Sequence, residues 1–150
     1  MRYNHVMRLL LLVALVACSR GEPDPSDDFH AVERRCIAAF NDALARQRAN
    51  QLDEAGLAVA IDRDVLPAWR EMRTRMQAAR LAPELREPMQ HYLESRQIAW
   101  EAYVAALRAP SDPAARPHYD VYHQKDAEAD AAARVLGPLL RSFRTSSSRP

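Results

Sequence analysis

Four charged residues stand where helical periodicity calls for apolar ones, and these are the positions where the sequence could do chemistry. At about 100° per residue, Arg96 lies in the middle of the apolar stripe formed by Met89, Tyr103 and Leu107. Glu33 falls among Phe29, Cys36, Ile37 and Phe40. Asp126 falls near Tyr122, Ala129 and Ala133, and Asp64 at the edge of a stripe through Ile61 and Ala68. An unpaired guanidinium in a helical core is very costly, whereas a paired one need not be. Counted along their helices at ~1.5 Å per residue, Arg96, Asp126 and Asp64 lie at a similar height, with Glu33 about 5 Å deeper. The expectation is a structural polar layer at mid-bundle. Arg96 would bridge Asp126 and one of Glu33 or Asp64, fixing helix register rather than performing chemistry.

Two of these acids follow a histidine by one turn, as His30-Ala-Val-Glu33 and His123-Gln-Lys-Asp126. Di-iron bundles gather carboxylates and histidines inside four helices, but from Glu-x-x-His, the reverse order. His30, Glu33, His123 and Asp126 therefore form the alternative, metal-binding reading, and the main expectation is no metal and no cofactor. No serine, threonine or cysteine has a histidine and an acid at helical spacing to activate it. GxGxxG, Walker, HExxH, GxSxG and CxxC patterns are absent. No catalytic residue is expected, and the chain reads as a non-enzyme. Tyr92, Trp100 and Tyr103 could line a small apolar pocket, although at this spacing they read as core. Cys36, between Val32 and Phe40, reads as a small buried apolar group.

The elements that must position these residues are helices. Alanine, leucine, arginine, glutamate and glutamine are plentiful, while valine, isoleucine and threonine are scarce, which favours helix over sheet. Apolar residues at spacings of three and four predict helices over 27–49, 53–80, 83 or 88 to 107, and 118–143. Pro67 is expected to kink the second helix, and Gly137-Pro138 to bend the fourth. Residues 109–117 hold Pro110, Pro113 and Pro117 and read as a loop or broken turn. Four long helices with short connections predict an all-α, up-down-up-down four-helix bundle with a kinked second helix, spanning residues 29–144. Residues 145–150 read as a disordered tail.

The amino terminus says where such a bundle belongs. Arg2 and Arg8 precede an uninterrupted apolar run over residues 9–17. Nine helical residues span about 13.5 Å, less than half of a ~30 Å hydrocarbon core, so a cleaved secretory signal fits better than a membrane span. The run ends in Leu15-Val16-Ala17-Cys18, which resembles the lipobox of bacterial lipoproteins: a branched apolar residue, small residues, then cysteine. The resemblance covers residues 1–18 alone. It implies cleavage of residues 1–17, a diacylglycerol thioether on Cys18 and acylation of the new amino terminus. Two or more acyl chains anchor stably where one holds marginally. Residues 18–28 then comprise the lipidated cysteine and a flexible tether. Ser19 after the cysteine resembles the pattern sent to the outer membrane. The expected location is a Gram-negative envelope, lipid-anchored and periplasm-facing, at the outer membrane rather than the inner.

Composition limits the partners. Twenty-one basic against 20 acidic side chains give a formal net charge of +1, which offers nucleic acid no electrostatic footprint. Two cysteines cannot form a disulfide framework. The expected partners are the membrane, through Cys18, and another envelope protein. The expected role is that of an accessory or protein-interaction module, with a small-ligand or metal-binding bundle as the alternative.

Overall fold

A computed structural model describes the backbone of residues 25–147 and the side chains of residues 28–142. The signal segment and Cys18 lie outside the described residues, as does most of the expected tether. Five helices form: α1 (Pro25–Arg48), α2 (Glu54–Asp64), α3 (Leu66–Ala78), α4 (Pro83–Leu107) and α5 (Asp112–Ser147). No strand occurs among the described residues.

Local chemistry sets most of the boundaries. α1 opens on Pro25, whose missing N–H costs nothing in a first turn. It ends at Asn50, the one described non-glycine residue with positive φ (55°). Asn50 N–H bonds to the Gln47 carbonyl and Gln51 N–H to the Arg46 carbonyl, closing a Schellman motif in which asparagine tolerates the left-handed conformation. Asp53 then caps α2, its side chain accepting the Gly56 N–H at 2.7 Å.

α2 and α3 together make one bent second helix. The break falls at Val65, two residues before Pro67. Proline has no N–H for the carbonyl four residues back, and its ring crowds that carbonyl. The chain keeps going because Val65 N–H still reaches Ile61 and Trp69 N–H reaches Val65.

The third helix begins at Pro83, so Pro88 lies inside it. The largest departure from expectation is α5. Residues 109–117 were expected as a loop, yet the helix begins at Asp112. Pro113 occupies the first turn, where no N–H is required, and Pro117 is exposed, so the bond it removes leaves a carbonyl that water can satisfy. At the far end α5 runs to Ser147, three residues into the expected tail, and α1 starts inside the expected tether.

Side-chain contacts fix the topology. Asp28 pairs with Arg75, so α1 and α3 run antiparallel. Arg70 meets Glu101 and Arg73 meets Glu94, so α3 and α4 do too. Phe29 touches Tyr92 and Phe40 touches Trp100, making α1 and α4 parallel. Tyr103 touches Tyr119 while Ser95 meets Glu128, so α5 returns antiparallel to α4. This is the up-down-up-down order of a four-helix bundle.

The core is centred on Trp69, which is fully buried. Its ring packs edge-on against Tyr92 and Trp100, and its indole N–H donates to the Leu93 carbonyl at 3.0 Å. Leu57, Ile61, Met72, Met89 and Leu93 are buried in the same core, each burial contributing about 1.5–3 kcal/mol. Cys36 is buried, as expected of a small apolar group. Its thiol reaches the Val65 carbonyl at 3.7 Å, and burial pushes its pKa up despite the charge of Arg35. The α4–α5 seam is built differently: Ser95, Ala99, Ala102 and Ala106 are buried on α4, and Ala115, Ala129 and Ala132 on α5. Small side chains let these two helices run in close backbone contact, more extensively than any other pair of described helices.

Candidate functional site

The bundle is not closed evenly. α1 packs along α2 and α3, and α5 packs along α4, but α1 and α5 do not pack along one another. α1 and α4 face each other across the diagonal through large side chains, namely Phe29 with Tyr92 and Phe40 with Trp100 and Tyr103. The edge between the first and last helices therefore has α4 as its floor, and the floor presents Tyr92, Arg96 and Tyr103.

Arg96 is the centre of this edge. Its side chain is only 13% exposed, and it donates to two carboxylates of α5, Asp126 and Asp130, the latter at 2.6 Å. Its Nε is buried with no hydrogen-bond partner among the described residues. The guanidinium carbon instead lies 5.7 Å from the centroid of the Tyr92 ring, a cation–π approach. Burial opposes the charge of Arg96. The Asp130 hydrogen bond and the neighbouring Tyr92, Asp126 and Asp130 outweigh it and hold the pKa above its ordinary value.

Tyr92 completes the layer toward α1. Its hydroxyl donates to Glu33 at 2.6 Å, and His30 lies 3.3 Å from the other Glu33 oxygen. Burial, then the charge of Glu33, raises the Tyr92 pKa well above that of free tyrosine. The polar groups thus run Glu33, Tyr92, Arg96, then Asp126 and Asp130 across three helices. Asp130, one turn beyond Asp126 at the same helical spacing, is a member of the layer that the four seam positions leave out.

Asp64 takes no part. It is 42% exposed and pairs with its neighbour Arg63, whose hydrogen bond lowers its pKa. The edge of the second stripe turns outward once Val65 interrupts the helix. Glu33 reaches Arg96 only through Tyr92, so the direct Arg96–Glu33 bridge is replaced by a tyrosine relay. The four residues of the metal-binding alternative also do not come together. Among the described residues no three histidine, cysteine or acidic side chains converge. His30 stays with Glu33, and His123 packs against Tyr122 with ring centroids 5.0 Å apart.

Toward the end of the bundle where α1 and α4 finish, the edge becomes aromatic. Tyr103 lies 4.9 Å from Tyr122 and 6.1 Å from Tyr119 between centroids, and also meets Phe40 at 5.9 Å. The three tyrosines are partly exposed, and none of their hydroxyls is hydrogen-bonded within the described residues. Burial raises all three pKa values. Glu54 adds to this at Tyr103 and Tyr119, Asp112 at Tyr119, and Asp126 at Tyr122. Trp100 is buried against Trp69 and Phe40, in the core where its spacing placed it. Tyr119 stands in the first turn of the helix expected over 118–143, off the stripe that runs through Tyr122, and only the contact with Tyr103 marks it.

On the opposite side of α4 a shallow, open depression of about 480 Å³ lies beside the bend of the second helix. Leu66, Val104 and Ala105 line it, and two ion pairs, Arg108 with Asp62 and Arg70 with Glu101, bridge its walls.

Ser95 Oγ meets Glu128, Thr74 Oγ1 donates to the Arg70 carbonyl and Ser142 Oγ to that of Leu139. Each of these hydroxyls serves its own helix or its neighbour. No helix among the described residues is long and apolar enough to cross a membrane. No family model, characterised protein or solved structure matches this chain.

Proposed function

We propose that this chain is a lipid-anchored protein of a bacterial cell envelope whose helical bundle serves as a non-enzymatic protein-interaction module. The observation that carries the anchoring is the apolar run ending in Leu15-Val16-Ala17-Cys18. The bundle supports the second half of the reading. Its least closed edge presents tyrosines, the side chains that with tryptophan and arginine dominate binding hot spots. Ile37, 37% exposed, stands one turn beyond Glu33 on the same flank of α1 and extends that edge with apolar surface.

A second reading, small-ligand binding, draws on the depression beside Leu66, whose volume lies in the range of ligand pockets, about 300–1,000 Å³. Its walls are bridged by ion pairs that a ligand would have to displace, which favours the interaction module.

The test combines fractionation with a photoreactive residue placed at Tyr119. Wild-type protein should sediment with the envelope and give a discrete adduct. Cys18→Ala should appear in the soluble fraction and lose the adduct. A wild-type protein recovered from the soluble fraction would overturn the reading.

A further inference from the structure

The geometry points to the Tyr103, Tyr119 and Tyr122 cluster, with Glu54 and Asp112, as the docking site for arginine or lysine side chains of a basic protein segment. This rests on the interaction-module reading and gives its contact face a chemistry.

The bundle already contains one solved case of the same arrangement. Arg96 lies over the ring of Tyr92 and is held there by Asp126 and Asp130. Two turns further along α4, Tyr103 is gathered with Tyr119 and Tyr122, and Tyr122 stands one turn before Asp126. Glu54 opens α2 and Asp112 opens α5, so both carboxylates stand at this end of the bundle. Rings and acids are repeated, but no arginine or lysine of the described residues lies over these rings. A π face beside carboxylates attracts a cation from outside, and guanidinium is the cation that stacks best on it. Arg108, at the same end, is engaged by Asp62. Arg48, at the end of α1, lowers the Tyr103 pKa, so it is near enough to oppose an incoming cation.

The position of the cluster selects the source of that cation. α1 runs 24 residues from its tether end toward the cluster, about 36 Å at helical rise. On a chain anchored through Cys18 the tyrosines lie at the end of the bundle remote from the tether, where a protein segment can reach them, and the tetramethylammonium arm of the test reports whether a choline headgroup is taken instead.

The mature lipidated chain in nanodiscs, with 13C-labelled tyrosine rings, is titrated with a blocked peptide of alternating glycine and arginine. Its glutamate counterpart and tetramethylammonium serve as the other arms. The Tyr103, Tyr119 and Tyr122 signals should shift with the arginine peptide while Tyr92, already covered by Arg96, stays put. Affinity should fall about two- to fivefold in Glu54→Gln and in Tyr119→Leu, and rise in Arg48→Ala. Glu54 is exposed, so its variant keeps the test sound if Tyr119→Leu fails to fold. Equal shifts with the glutamate peptide, shifts spread over all tyrosines, or unchanged affinity in Glu54→Gln would overturn the assignment. A response to tetramethylammonium without one to the arginine peptide would also overturn it. Because the protein is held in nanodiscs throughout, a negative result indicts the site and leaves the anchoring, read by fractionation, untouched.

Discussion

At Arg96 one side chain joins three helices. It bonds to Asp126 and Asp130 on α5 and covers the Tyr92 ring, whose hydroxyl reaches Glu33 on α1. Breaking a buried pair strands the surviving charge, whereas an apolar residue of similar volume can be neutral or better. Arg96→Ala should destabilise the bundle by about 2–3 kcal/mol, less than a fully buried pair because Asp126 and Asp130 are partly exposed. Arg96→Met should cost much less. A double-mutant cycle with Asp126→Ala should return a coupling of roughly 0.5–1.5 kcal/mol by urea denaturation. Zero coupling would remove the layer from the account.

Tyr92 gives this layer a pH signature. Its folded pKa is raised, so the native state holds the phenolic proton more tightly than the unfolded chain does. The associated stability is fully present below the unfolded value, about 10, and is lost as pH rises beyond it. Thermal melts should therefore show stability falling above about pH 10. Tyr92→Phe should flatten that fall while costing about 1–2 kcal/mol at neutral pH, where Glu33 loses its donor. An equally steep alkaline decline in the phenylalanine variant would assign it to other tyrosines.

At the scale of elements, the two sides of α4 use different physics. Toward α1 and α3 it packs Tyr92, Leu93 and Trp100, and toward α5 it packs Ser95, Ala99, Ala102 and Ala106. A closely approached seam has no room for added methylenes. Ala99→Leu, at a fully buried position, should cost about 1–3 kcal/mol in chemical denaturation, and a neutral effect would mean the seam is looser than described. The large-residue face was legible because leucine, methionine and aromatics recur at helical spacing. The alanine seam was not, since alanine is abundant everywhere in this chain and marks neither burial nor exposure. The stripe Tyr122, Ala129, Leu136 and Leu140 of the last helix was legible for the same reason as the large face. Its start was not, because prolines in a first turn and on an exposed face look like breakers when only counted. Asp64 misled in a related way. Its wheel position assumes an unbroken helix, and the break at Val65 turns it outward beside Arg63.

At the scale of the molecule, the helical order leaves α1 and α5 apart, and the aromatic cluster lies on that open edge. α1 begins at the other end, so the proposed anchor and the proposed contact surface would be separated by the length of a helix. No residue spacing announces that edge. It arises because the α4–α5 alanine seam draws α5 onto α4 while α1 is held by the second helix, a balance of packing between four elements rather than a property of any one.

The most direct measurement is mass spectrometry of the protein extracted from its native cells. The account predicts a chain whose first residue is Cys18, carrying a thioether-linked diacylglycerol and an acylated amino group, with residues 1–17 absent. A chain that retains Met1 with Cys18 unmodified would contradict it.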